Sequence, residues 1–490
     1  MSWSKYLNKE RIKPSTITFD DNIRNAFESD FGRVIFSPAM RRMHDKTQVF
    51  PLTTDDHIHS RLTHSMEVMA IGYSLGVKIC ADIDFVDKTG ETKENLLRAI
   101  PVILKNACLV HDIGNPPFGH FGETVIQQYF KDLFEKAIVL KSADEITDVV
   151  KEKAKKHNKR VFVLSDKQME DFQLFDGNAQ GFRILTRLQA LNNEFGLNLT
   201  YATLGAYLKY PNADDINDDI ATSKRGVFQS ERDYLDTIVN ECGLKDSNGL
   251  NMRHPLSFLM EAADSICYYT MDIEDGFSKG WYNYEDIENH LRLKIDTSGK
   301  TTQIPETDDK DLLKELDRIN NIPYGYGKEI SKVVALRIYL IEKLVNLATT
   351  NFLNNLEDIC QGKYRVELVK DDINYNLAKK LANFCGKYIF PKREILSLEL
   401  TGHAVLKGLM DYYIDLIFHE EKKYRERASG MISNSIYRAV QMENKTPEND
   451  KDISKFDDYS KLRIIVDFIT GMTDQFALDH YQKLSGQKIS

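Results

Sequence analysis

The sequence predicts an all-α protein with at most minor β structure. Three observations predict it. Apolar residues recur at helical spacing over long stretches, and few segments alternate strictly between apolar and polar. Glycine is modest at 26 and proline scarce at 12 in 490 residues, so little in the chain interrupts helices. Polar segments, not evenly spaced turn signals, separate the apolar stretches. No fixed-period repeat and no low-complexity tract is visible.

The first informative element runs from Arg61 to Cys80. Leu62, Met66, Met69, Tyr73 and Val77 form one apolar stripe, and His64, Val68, Ile71 and Leu75 a second. Glu67, Ser74 and Lys78 mark a polar edge. A helix apolar over most of its girth is expected inside a large helical domain. Asn95 to Val110 (NLLRAIPVILKNACLV) reads as a second buried helix. It ends in His111-Asp112 with Gly114 close behind, as expected near a helix C-terminus. Leu256 to Met271 (LSFLMEAADSICYYTM) reads as a third. Residues 141–160 read as a solvated excursion, 211–220 as an acidic loop, and 443–458 as the lead into a last helix. Residues 296–311 suggest a division into a catalytic region with an N-terminal substrate-binding segment (1–295) and a C-terminal helical region (296–490).

Composition narrows the function classes. Apolar residues make up 42% and charged residues 28%, which is ordinary for a globular chain and excludes disorder as the main state. No window holds 18 uncharged apolar residues, so no membrane span is expected. The start, MSWSKYLNKERIKPS, has no apolar run of the secretory kind, and the expected location is cytoplasmic. The formal net charge is −9, so an anionic ligand needs a locally basic pocket. Six cysteines are scattered without a C-x-x-C pair, as suits reduced cytosolic thiols and not a zinc ribbon. The absence of G-x-x-x-x-G-K-[ST] counts against a P-loop nucleotidase.

Chemistry concentrates in three places: His64 in RLTHSMEV, His111-Asp112 in CLVHDIGN, and Asp264 in MEAADSICYY. Burying an unpaired carboxylate is costly, and one divalent ion would satisfy all four side chains. Two imidazoles and two carboxylates suit Mg, Mn, Fe, Co, Ni or Zn. Either histidine alone reads more plainly as a satisfied core residue; the four together read as a metal site. A second His-Asp dipeptide, His44-Asp45, has basic neighbours and no apolar helix before it, and reads as a surface pair or a substrate-side element.

The stretch after Asp112 carries a resemblance. HDIGNPPFGHFGE (111–123) resembles the signature of the HD-superfamily deoxynucleoside triphosphate triphosphohydrolases, the bacterial dGTP triphosphohydrolases above all. The likeness extends through SPAMRRMHDKTQVFPL (37–52), SRLTHS (60–65), FDGNAQGFRIL (175–185), LKYP (208–211) and EAADSICYYTMDIEDG (261–276), and so covers roughly residues 30–280. It implies an HD-domain helical bundle with additional C-terminal helices. It implies metal-dependent hydrolysis of a deoxynucleoside triphosphate, dGTP in the first place, to deoxynucleoside and inorganic triphosphate.

Carried over residue by residue, the resemblance puts the metal on His64, His111, Asp112 and Asp264. The catalytic histidine falls on His120 and its acidic partner on Glu123; a helix begun at Gly119 would put both on one face. The sugar falls to Gln48, Tyr268 and Asp272, with Tyr269 read as the core residue of the tyrosine pair. Asp264, Tyr268 and Asp272 are spaced to share one side of a helix. The triphosphate falls to Arg61, one turn before His64, and to Asn178 at the start of the GNAQGFR helix, a suitable anion-facing end. Arg183, Lys209, Tyr210 and Lys224 are further candidates. Relatives of this kind form homo-oligomers such as hexamers or tetramers, and some respond to deoxynucleotide effectors or single-stranded DNA; the charged run at 419–439 could serve either. Two other readings stay open: another phosphohydrolase of the superfamily (a phosphodiesterase or alarmone hydrolase), and a deoxynucleotide sensor without turnover. The GNAQGFR stretch speaks against the first and the His120/Glu123 pair against the second. The sequence chooses neither the base nor the metal.

Overall fold

The computed structural model describes residues 3–14, 23–53, 58–189, 196–293, 309–321, 327–371, 377–445 and 452–488. The chain is all-α, as expected. The strands among the described residues are Ile138–Leu140 and Val161–Val163, a parallel pair with Ile138 opposite Val161. The segment between them, expected as a plain excursion, is their crossover and carries the mostly exposed helix Asp148–Lys156. Three-residue strands are too short to show alternation in the sequence.

The three expected helices are Arg61–Ala81, Lys93–Val110 and Pro255–Ser278, and they pack against one another. Val68, Leu75 and Ile79 meet Ile103, Leu104, Ala107, Leu259, Ala263 and Ile266 in one apolar core. That core continues through Leu316, Leu336, Leu344 and Phe352, so helices on both sides of residue 296 share it. Residues 294–308, which hold most of the expected boundary at 296–311, lie outside the described residues.

The Arg61–Ala81 helix differs from expectation. Its His64–Val68–Leu75 stripe is buried, while Met66, Tyr73 and Val77 of the other stripe are 50%, 45% and 37% exposed. It therefore lies at the edge of the bundle and buries one face, not most of its girth. Periodicity alone cannot say which of two apolar stripes meets the core.

A second core gathers Phe118, Ile126, Phe130, Phe162 and Phe172 with Leu406, Tyr413, Ile464 and Ile465. It joins the Gly119–Lys136 helix to the C-terminal helices Arg393–Ile417 and Asp458–Thr470. Where one last helix was expected, two follow residue 457. Gly471 closes Asp458–Thr470, and the Thr473 side chain caps Asp474–Leu484. No helix among the described residues is long and apolar enough to cross a membrane.

Candidate active site

The bundle brings the expected ligands together from three helices. His64 sits in the first turn of Arg61–Ala81, His111 and Asp112 follow the end of Lys93–Val110, and Asp264 lies within Pro255–Ser278. His64, His111 and Asp112 offer ligand atoms within 4.8 Å of one another. Asp264 Oδ1 is 3.3 Å from His64 Nε2 and 3.4 Å from His111 Nε2.

The donor chemistry fits a metal ion. His111 donates through Nδ1 to the Cys108 carbonyl at 2.7 Å, which fixes the ring and turns Nε2 toward the carboxylates. That Nε2 is buried without a hydrogen-bond partner. Burial opposes charge on the ring, but Asp112 and Asp264 outweigh it and raise its pKa to about 9. The carboxylates that favour a proton there would equally favour a metal cation. Asp112 is itself held at about 2: burial works the other way, and the Arg61 guanidinium and the His111 ring overcome it. Arg61, almost fully buried, pairs through Nη1 with Asp112 Oδ2. Asn115 donates to the other oxygen, Asp112 Oδ1, at 2.9 Å.

The loop then turns sharply into the helix Gly119–Lys136. Phe118 and Gly119 both lie in the left-handed region, at φ 63° and 60°. A Cβ on Gly119 would stand 2.7 Å from Arg61 Nη2, so glycine is needed for conformation and for space. His120 and Glu123 share a face one turn apart, as expected, with Nδ1 3.3 Å from Glu123 Oε2. The His120 ring is 79% exposed and the Glu123 side chain 9%. The hydrogen bond that Nδ1 donates to Glu123 raises the His120 pKa. Glu123 Oε1 also accepts the Gly177 N–H at 2.9 Å.

Further along the Pro255–Ser278 helix, Tyr268 is half-buried and stacked on Phe390, while Tyr269 is buried, as expected. Asp272 is buried, and burial with nearby Asp275 pushes its pKa well up. Asp272 Oδ2 and Gln48 Oε1 are both buried without a hydrogen-bond partner. Two orphaned acceptors of this kind need explaining, and a ligand hydroxyl is one explanation.

The triphosphate candidates divide. Lys209 and Lys224 lie 5.6 and 6.0 Å from the Tyr210 ring, with Lys209 on Glu261 at 3.0 Å and Lys224 on Asp176 at 3.1 Å. Asn178 opens the helix Gly177–Arg183, but carboxylates already fill that end. Asp176 Oδ1 takes both its N–H and its side-chain amide, and Glu123 takes the Gly177 N–H. Arg183 is not brought to the site. It is fully buried and bonds Asp467, Glu231 and Glu443. His44 and Asp45 are both exposed, with His44 Nδ1 2.7 Å from Asp45 Oδ1.

Sequence reasoning passed over Asn115, Asp176 and His59. The first two stand inside the motifs NPPFGH and FDGNAQ and were legible as hydrogen-bonding neighbours. His59, between Asp275 and Glu67 at 2.7 and 3.2 Å, gave no local signal.

Comparisons with known proteins match these segments. The HD domain family matches residues 61–175, and the phosphohydrolase-associated domain family matches residues 375–483. A deoxyguanosinetriphosphate triphosphohydrolase-like protein of Listeria monocytogenes is 32% identical, covering 99% of this chain and 100% of its own. One of Synechocystis is 30% identical over 99% of each chain. A deoxyguanosinetriphosphate triphosphohydrolase of Serratia proteamaculans is 31% identical over 96% of each.

Proposed function

We propose, on the premise that this chain belongs to the deoxyguanosinetriphosphate triphosphohydrolase-like family of HD-domain proteins, that it hydrolyses deoxynucleoside triphosphates to deoxynucleoside and inorganic triphosphate. The observation that carries the reading is the His120–Glu123 pair on the helix that leaves the His64, His111, Asp112 and Asp264 set. A divalent ion held by those four would polarise a phosphoryl oxygen and lower the pKa of a water.

The chain's own residues account for the rest. Glu123 holds Nδ1 of His120, which leaves Nε2 as the proton donor. Water adds at the α-phosphorus and releases a proton to solvent, the P–O5′ bond breaks, and His120 gives its proton to O5′ and regains one from solvent. Arg61, already paired with Asp112, lies beside the site of charge development. Lys209 and Lys224, grouped at Tyr210, supply cations for the β- and γ-phosphates. Asp272, whose pKa burial pushes up, would face a 3′-hydroxyl through its unpartnered Oδ2, with Gln48 Oε1 as a second acceptor. The Tyr268 ring would pack where a 2′-hydroxyl would otherwise sit.

Family membership supports dGTP as the first substrate to try. The exposed Met66–Tyr73–Val77 stripe supports assembly into a homo-oligomer, and the six buried free thiols are at home in a reducing cytoplasm. The test is a product assay on metal-loaded protein with each deoxynucleoside triphosphate and with GTP, products separated by anion exchange. Intact triphosphate plus deoxynucleoside is expected, with GTP the poorer substrate. Pyrophosphate or orthophosphate as the product, or tight binding without any product, would overturn the reading.

A further inference from the structure

We infer that the turn at residues 470–474, between the last two helices, is a positioning device for the catalytic loop, with Asp474 and Lys46 as its positioning residues. The inference rests on the reaction proposed above and concerns residues outside the proposed ligand and substrate sets.

Asp474 is 2% exposed and uses both oxygens. Oδ1 accepts the Phe118 N–H at 3.0 Å. Oδ2 accepts the Thr47 N–H at 3.0 Å and the Thr47 hydroxyl. Phe118 immediately precedes the helix that carries His120 and Glu123, and Thr47 immediately precedes Gln48. One carboxylate therefore ties the proton-transfer pair to the sugar-side loop.

Lys46 makes the parallel link. Its buried ammonium donates to the Asn115 carbonyl at 2.5 Å and to the Thr470 carbonyl at 2.8 Å. Asn115 is the residue whose amide holds Asp112. The Lys46 carbonyl, in turn, accepts the Arg61 N–H at 3.0 Å. The turn thus reaches the ligand loop through Asn115 and the catalytic helix through Phe118.

Phe118 shows why such a hold is needed. A bulky residue at positive φ is intrinsically strained and persists only where its surroundings fix it. Asp474 receives the Phe118 N–H in that strained conformation. If the acceptor is lost, Phe118 can relax toward negative φ, and the His120 ring swings with it. Placement errors of about 1 Å cost roughly 100-fold in rate.

The experiment uses the full chain with Asp474→Asn, Asp474→Ala and Lys46→Met, and reads kcat, KM, melting temperature and amide hydrogen exchange. For Asp474→Ala we expect kcat to fall ~10–100-fold with KM changed less than about threefold. Asp474→Asn, which keeps one acceptor, and Lys46→Met should each lower kcat by more than about twofold but by less than Ala. Exchange protection should drop at 111–122 and stay unchanged in the Arg61–Ala81 helix. If the alanine variant does not fold, Asp474→Asn and the milder Thr47→Val carry the same expectation at reduced size. A folded Asp474→Asn with kcat within twofold of wild type, or a rate loss with loop protection intact, would overturn the inference. No turnover by the wild type would instead overturn the proposed reaction, and the exchange measurement on Asp474→Asn would still decide whether the turn holds the loop.

Discussion

Gly114→Ala is a demanding test of the active-site geometry. A Cβ at Gly114 would stand 2.0 Å from the Gly181 nitrogen and 2.1 Å from the Gly177 carbonyl oxygen. Ordinary contact begins at 3.4 Å, so the shortfall is about 1.4 Å. Both obstacles are backbone, and no rotamer change relieves them. One side of the contact is the loop bearing Asp112 and Asn115; the other is the Gly177–Arg183 helix, whose first N–H is held by Glu123. Any separation of the two displaces either a ligand or the partner of His120. Overpacking costs ~1–3 kcal/mol, and with backbone on both sides the upper end is expected. A displacement near 1 Å should lower kcat ~100-fold. The assay is triphosphate release at 20 °C alongside thermal melting. Gly386→Ala is the control, because its Cβ would meet nothing within 4 Å. It lies inside the helix Leu377–Tyr388, so alanine there should be neutral or stabilising by ~0.5–1 kcal/mol. A Gly114→Ala protein with wild-type kcat would refute the link from this contact to the chemistry, whatever its melting temperature.

Three further outcomes follow from the geometry. Glu123→Gln removes the charge that raises His120; the basic limb of the pH–rate profile should move to lower pH and kcat should fall ~100-fold, and an unmoved limb would remove Glu123 from that role. His59 is raised to about 10, because Asp275 and Glu67 overcome the opposing effect of burial. Its contribution is therefore complete below the unfolded value near 6.5 and is lost as pH rises through about 10. Urea unfolding should show up to roughly 5 kcal/mol of loss over that window, flattened in His59→Gln; a variant with the wild-type slope would contradict this. Burial pushes the thiols of Cys80, Cys242 and Cys360 up to about 12, and all six cysteines are buried. Native protein should leave them unreacted with a disulfide reagent and expose all six in urea, whereas one fast native thiol would show that a helix opens readily.

What the sequence made legible was local. The three helices that carry or lead to the proposed ligands are long and rich in apolar residues, and the proposed ligand set stands inside compact motifs. The His120–Glu123 pair needed only the start of one helix. What stayed hidden depends on partners distant in the chain. Arg183 looks like an anion contact from its motif, but Glu231, Glu443 and Asp467 lie 48, 260 and 284 residues away and enclose it completely. The Gly177–Arg183 helix end looks open until Glu123 arrives from 54 residues upstream. The Arg61–Ala81 helix offered two apolar stripes, and only the neighbouring helices decide which one is covered. Gln48 and Asp272 could be named as a pair by resemblance alone, since nothing in their spacing reveals that both keep a buried oxygen without a partner.

The bond from the Phe118 N–H to Asp474 also has a meaning in time. Its two ends are 356 residues apart in the chain, and translation proceeds at about 5–20 residues per second. The HD loop therefore leaves the ribosome roughly 20–70 s before its acceptor exists. Throughout that interval the segment bearing His111, Asp112 and His120 has no Asp474 to fix it. A nascent chain stalled before residue 470 would hold every proposed ligand and both proposed proton-transfer residues, but not the acceptor of the Phe118 N–H. The loop would thus gain this hold in one late step, once residues 470–474 have been made.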